Sequence, residues 1–168
     1  MNAYYTDAVK WAVEKKITSG TSASTFSPDA SCTRAQIVTF LWRNAGSPAV
    51  SGSASKFTDV ASDAYYADAV AWAVEKGITS GTSAATFSPD AACTRAQIVT
   101  FLWRAAGSHA AAAADQQFSD IASDAYYAAA AAWASEKGIT SGTSAAKFSP
   151  DSACTRAQSV TFIYRAYK

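Results

Sequence analysis

Three arginines, Arg34, Arg95 and Arg156, stand 61 residues apart, each in second place of a Thr-Arg-Ala-Gln tetrapeptide. Threonine followed three residues later by glutamine has the form of a capping box. The hydroxyl of Thr33, Thr94 or Thr155 takes one free amide of a starting helix, while Gln36, Gln97 or Gln158 reaches back to the threonine amide. Each arginine then faces the positive end of a helix dipole, a placement that costs about 0.3–1 kcal/mol at an exposed site. Something negative should offset it. A carboxylate from outside the molecule would be favoured by the free amides, the dipole and the forked guanidinium together. The alternative is an acid of the protein itself, such as Asp90 or Asp59 for Arg95. Repetition does not choose between them, because structure repeats as faithfully as function.

Other chemistry is poorly supported by the residues present. Cys32, Cys93 and Cys154 precede the three cap threonines, and buried thiols are the preferred reading. Equivalent positions of three copies are not expected to meet the Cα separation of about 4.4–6.8 Å that a disulfide needs, and an odd number cannot pair fully within one chain. A metal site is not expected, since the one histidine, His109, lies in an alanine-rich connection. No Gly-x-Ser-x-Gly or phosphate-cradling glycine loop occurs, and no acid/base pair recurs near the arginines. The expectation is a protein without catalytic residues or cofactor.

The elements that carry these residues repeat with them. Residues 2–46 and 63–107 are identical at 38 of 45 positions, and 63–107 and 124–168 at 35 of 45. One copy is too small to bury its own apolar face, so the copies should pack as a single domain. Three repeats, 1–46, 57–107 and 118–168, are joined by small-residue connections, 47–56 and 108–117. In the middle copy, Tyr66, Val70, Ala73 and Val74 share one face of a first helix opening near Asp63, with Ser62 or Asp63 as its cap and Gly77 as its left-handed stop. Lys16 replaces that glycine in copy one, so its turn is expected to differ. A loop pinned by Ile78 and Phe87 follows. A second helix then runs from Thr94 to Gly107 with an apolar stripe at 98, 101, 102 and 105. The five tryptophans are read as core. The fold class is all-α, mainly helical with ordered loops.

Composition narrows the function. The 168 residues are 49% hydrophobic and 16% charged, enough for a real core and against disorder. A formal net charge of +1 lacks the basic excess of a nucleic-acid binder. No apolar run approaches the 18 to 20 or so residues of a bilayer crossing, so the chain is expected to be soluble. The opening residues lack a signal-peptide layout. A segment of a longer protein, with its targeting signal elsewhere, is the expectation.

The motifs resemble the S-layer homology family. They comprise Phe57-Thr-Asp-Val60, the aromatic Tyr66, the turn Gly77 to Gly81, the loop Thr86-Phe-Ser-Pro89 and the start Thr94-Arg-Ala-Gln97, with counterparts in the other copies. The resemblance covers almost the whole chain. It implies a three-pronged, pseudo-threefold spindle. It also implies an extracellular, non-catalytic anchor on a bacterial surface, binding an acidic, pyruvylated secondary cell-wall polysaccharide in grooves between prongs. By resemblance Arg34, Arg95 and Arg156 meet the acidic group, and Tyr5, Tyr66 and Tyr127 head the first helices, where rings can stack on sugars or simply edge the core. The turn glycines Gly20, Gly81 and Gly142 and the helix acids Asp7 and Asp68 complete the ligand-binding set. A protein-interaction or self-assembly module is the alternative, and a monomer is expected.

Copy three departs from its siblings. Ala129 replaces Asp68, Ala131 and Ser135 replace Val70 and Val74, Ser159 replaces Ile98, and Tyr164 replaces Trp103. The grooves led by Arg34 and Arg95 are therefore ranked above that led by Arg156. Copy one lacks an upstream Phe-x-Asp-Val, so its prong is incomplete unless another segment supplies one.

Overall fold

The computed structural model describes residues 3–52, 56–109 and 117–168, so parts of both connections and the first two residues lie outside the described residues. Six helices follow one another: α1 (Thr6–Glu14), α2 (Arg34–Asn44), α3 (Ala67–Glu75), α4 (Arg95–Ala105), α5 (Ala128–Glu136) and α6 (Arg156–Tyr167). No strand occurs among the described residues; backbone pairing is limited to single antiparallel bridges. No helix is long and apolar enough to cross a membrane, again among the described residues.

The even-numbered helices begin where the capping chemistry dictates. Thr33, Thr94 and Thr155 are extended N-caps whose hydroxyls accept the amides of Gln36, Gln97 and Gln158 at 3.2 Å. The glutamine Oε1 atoms accept the threonine amides in return at 3.1–3.2 Å. Buried Thr39, Thr100 and Thr161 satisfy their hydroxyls on the carbonyl four residues back, each at 2.7 Å.

The odd-numbered helices start later than the sequence suggests. Tyr5, Tyr66 and Tyr127 are the N-cap positions, and none makes a side-chain cap. Asp63 instead belongs to tandem turns, with Ala64 N–H donating to Ala61 O and Ala67 N–H to Ala64 O. The helix opens only at Ala67, so neither Ser62 nor Asp63 stands at its N-cap. The helix ends agree across copies: Lys16 takes φ +58, beside +67 at Gly77 and +66 at Gly138. Ile17, Ile78 and Ile139 donate to Ala12, Ala73 and Ala134, each at 2.8 Å. Copy one therefore keeps the turn of its siblings and carries the strain of a side chain in it, against the expectation of a different turn.

Packing passes from copy to copy. α2 packs on α3, α4 on α5, and α6 returns to α1, where Tyr164 meets Trp11 edge to face at 5.4 Å. The second helix of each copy thus holds the first helix of the next, and the third closes on the first. Cys93 N–H donates to Cys32 O at 2.8 Å, Cys154 N–H to Cys93 O at 2.9 Å and Cys32 N–H to Cys154 O at 2.9 Å, a closed ring. The three cysteine backbones are direct neighbours, contrary to the expectation of well-separated positions, because the starts of α2, α4 and α6 converge. Their thiols are free and fully buried. Desolvation pushes the thiol of Cys32 up to about 11 and that of Cys154 to about 12, and raises that of Cys93 further. Ser159, which replaces an isoleucine, is also fully buried; its hydroxyl donates to Thr155 O at 2.8 Å and contacts the Cys32 thiol.

Candidate functional site

The three arginines of the Thr-Arg-Ala-Gln motif are not exposed at helix tips. Arg34, Arg95 and Arg156 retain 3%, 4% and 3% of their accessible surface. Each side chain crosses into another copy: Arg34 Nε donates to Phe87 O at 2.9 Å, Arg95 Nε to Phe148 O at 2.7 Å and Arg156 Nε to Phe26 O at 2.9 Å. Each guanidinium also lies over the ring of that phenylalanine, 4.8–5.0 Å from its centroid. Burial draws all three pKa values below their ordinary level, with nearby thiols and other acids pulling the other way.

The amides that were to receive an outside anion are occupied too. Arg34 N–H donates to Ala91 O and Ala35 N–H to Pro89 O, and the same pair of bonds recurs from Arg95 and Ala96 to Ser152 and Pro150, and from Arg156 and Ala157 to Ala30 and Pro28. With the third amide held by the cap threonine, the helix start is closed by protein carbonyls. The anion seat read from the sequence is thus filled from a neighbouring copy, neither by an external acid nor by Asp90 or Asp59. What remains is narrower. Arg95 Nη2 donates to the Thr140 hydroxyl at 3.1 Å, but Nη2 of Arg34 and of Arg156 has no hydrogen-bond partner.

Arg156 lines a cleft of about 310 Å³. Its walls are Thr18, Ser19, Gly20 and Thr21 of copy one's loop, Gln36, Thr39, Phe40 and Arg43 of α2, and Tyr65 of copy two. Two arginines and several hydroxyl-bearing residues are among its lining residues, with no acid among them. Arg43 is held by Nη1 donating to Ile17 O at 3.2 Å, as Arg104 and Arg165 are held on Ile78 O and Ile139 O. Gly20 stands at φ +88, and a Cβ there would strike the backbone of Thr25 and come within 3.1 Å of Ser22 O. The turn requires glycine, which leaves its backbone open to the cleft.

The cleft draws its residues from three copies, and includes Arg156 because a copy's arginine serves the loop of a different copy. The tyrosine in the cleft is Tyr65, one residue ahead of Tyr66. In each doublet the first ring is exposed, at 63% for Tyr4 and 61% for Tyr65 and Tyr126. The second is partly buried against the core or, for Tyr5, half-buried. The two rings of a doublet meet edge to face at 5.0–5.1 Å. The signal in the sequence was the doublet itself, since adjacent residues cannot point the same way. Asp7 and Asp68 lie exposed in the first turns of α1 and α3, away from the cleft lining. Gly81 and Gly142 hold the equivalent turns with positive φ. Trp72 and Trp133 are buried, and Trp11, Trp42 and Trp103 pack on the core.

Among the described residues no group of three or more His, Cys, Asp and Glu is placed to hold a metal. A family model described as the S-layer homology domain matches residues 1–38, 56–99 and 117–158. A cell surface protein of Thermoanaerobacter kivui is 34% identical over 114 residues, 66% of this chain and 15% of the relative. A surface-layer 125 kDa protein of Lysinibacillus sphaericus is 33% identical over 102 residues, 61% of this chain and 8% of the relative. The chain thus spans a small fraction of the proteins it resembles.

Proposed function

The chain belongs to the S-layer homology family, and from that premise we propose that it is a non-catalytic anchor holding a bacterial surface protein to an acidic, pyruvylated cell-wall polysaccharide. The anchor works outside the cell, as a monomer, with its sugar seated in grooves between repeats. The observation that carries this reading is Arg156: a buried cation with Nη2 unpartnered, on the wall of a cleft lined by Arg43, hydroxyls and the exposed ring of Tyr65. A ketal carboxylate supplies the missing acceptor, and a charge-assisted bond in so dry a place is worth roughly twice a neutral one. Tyr65 offers its face to a sugar ring, and the loop's hydroxyls offer bonds to sugar hydroxyls. The cleft is already formed, and Arg156 Nη2, itself sealed from solvent, turns toward it to meet the carboxylate.

Calorimetric titration with pyruvylated wall polysaccharide, and with the same polymer after mild acid removes the ketal, tests the proposal. The intact polymer should bind and the stripped one at least tenfold more weakly, while Tyr65→Ala should weaken binding of the intact polymer on the order of tenfold in a protein that melts normally. Equal binding of both polymers overturns the acidic ligand, and unchanged affinity in Tyr65→Ala overturns the cleft. Retention on protein-stripped cell wall separates this reading from a protein-interaction module, which would pass through.

A further inference from the structure

Cys32 and Cys154 are 122 residues apart in the chain and directly opposite one another in the fold. Ser31 pairs with Thr155 in an antiparallel bridge, so Cys32, the residue after Ser31, faces Cys154, the residue before Thr155. The Cys32 N–H donates to Cys154 O at 2.9 Å. Residues opposed in this way have Cα atoms about 5.5 Å apart and project their side chains to one face. That separation lies within the roughly 4.4–6.8 Å that a disulfide spans. Both thiols are free and sealed from solvent, and the charge of one would act on the other. Cys93 opposes both in the same manner, through the bridges of Thr33 with Ala92 and of Thr94 with Ala153.

The seam between copies three and one differs from the other two. Copy two is tied by the chain to both neighbours, whereas copy three returns to copy one through the packing of α6 on α1 and through backbone bonds. Besides the Cys32 bond, Arg156 N–H donates to Ala30 O at 2.8 Å and Ala157 N–H to Pro28 O at 3.0 Å. Chemistry marks this seam as well. Ser159, fully buried, stands where copies one and two carry Ile37 and Ile98, and its hydroxyl contacts the Cys32 thiol. The smaller side chain leaves the Cys32 sulfur room to turn. Burial raises the Cys32 pKa, but the Ser159 hydroxyl and the charge of Arg156 pull it back toward the thiolate, and both groups arrive with copy three. Burial raises Cys93 furthest of the three.

We propose that Cys32 and Cys154 form a disulfide that fastens copy three to copy one, made by exchange with a small disulfide before the thiols are sealed. While copy three is undocked, the Cys154 thiolate attacks one sulfur of the small disulfide, releasing one small thiol and leaving a mixed disulfide. As α6 docks on α1, the Cys32 thiol gives its proton to water, and the thiolate attacks the Cys154 sulfur and expels the second small thiol. Two protein thiols are thereby oxidised to one S–S bond, the small disulfide is reduced to two thiols, and Cys93 keeps its proton. The bond closes the three copies into a covalent ring. It holds Arg156 against the loop of copy one, at the one seam of the cleft that no peptide link spans.

The full chain, unfolded and then refolded in a mixture of oxidised and reduced glutathione, tests this. Peptide mapping by mass spectrometry should find Cys32 bonded to Cys154 and Cys93 free, and the oxidised chain should melt about 10 °C above the reduced one. Cys93→Ala should keep both the bond and the rise in melting temperature. The same mixture added to the chain already folded should form the bond roughly a hundredfold more slowly, because the thiols are sealed. Three free thiols after refolding, or a bond to Cys93 in most wild-type molecules, would overturn the disulfide. Loss of the bond in a Cys93→Ala chain that still folds would overturn direct exchange between Cys32 and Cys154, and equal rates from folded and unfolded chains would overturn its formation before sealing.

Discussion

Phe26 and Phe87 sit in the same Phe-Ser-Pro-Asp sequence, 61 residues apart, each under a guanidinium from another copy at 4.9 and 4.8 Å. Phe87 is fully sealed, while Phe26 keeps part of its surface. Local sequence, loop geometry and the overlying arginine are matched, so what separates them is the Phe-Thr-Asp-Val segment some 30 residues upstream of Phe87. Shape is set within the loop, and burial is set from outside it.

The comparison breaks most visibly at the rings. Phe87→Ala should cost about 3–5 kcal/mol, the range for a sealed core phenylalanine, whereas Phe26→Ala should cost less than about 2 kcal/mol. Chemical denaturation of the two variants measures the gap, and equal costs would mean that exposure of Phe26 has no energetic meaning.

A smaller effect comes from converting copy two toward copy one. Asp59→Asn should destabilise by about 1–3 kcal/mol, since the Phe87 and Ser88 amides lose their charged acceptor. Burial nudges the Asp59 carboxyl upward, but those amides, its own amide and the charge of Arg34 outweigh it and hold the folded pKa below the ordinary value. The carboxylate's contribution is therefore present above the unfolded value near 3.9 and is lost as pH falls through the lower folded value. The gap between wild type and Asp59→Asn should be full at neutral pH and shrink only below about pH 4. Asp120 behaves alike, for the matching amides of Phe148 and Ser149.

The smallest effect lies at the end of the first helix. Lys16→Gly should stabilise by up to about 1 kcal/mol, because Lys16 carries φ +58 where Gly77 and Gly138 carry the same turn without a Cβ. The reverse change, Gly77→Lys, should destabilise by a similar amount. Thermal melts of the pair check both signs.

Much of the local structure was legible from the residues. The 61-residue period, the even-numbered helices and their caps depend on groups three or four positions apart, such as Thr94 and Gln97, so a short stretch carries its own instructions. The odd-numbered helices were less legible at their starts. Asp63 has the chemistry of a cap, yet tandem turns carry the chain on and the helix opens only at Ala67.

The candidate site was legible in residue type and misread in direction. Arg34, Arg95 and Arg156 are cations at helix starts, and nothing nearby in sequence announces that their partners are carbonyls 53 or 130 residues away. Tyr65 and Tyr66 are chemically equal, and the packing of α3 on α2 decides which of them turns outward. Repeat number, helix type and capping follow from bonds inside one copy, where chain connectivity keeps the partners close whatever the rest does. The closure of α6 onto α1, the burial of the arginines and the ownership of the cleft by copies one, two and three together follow from contacts that exist only once all three copies have met.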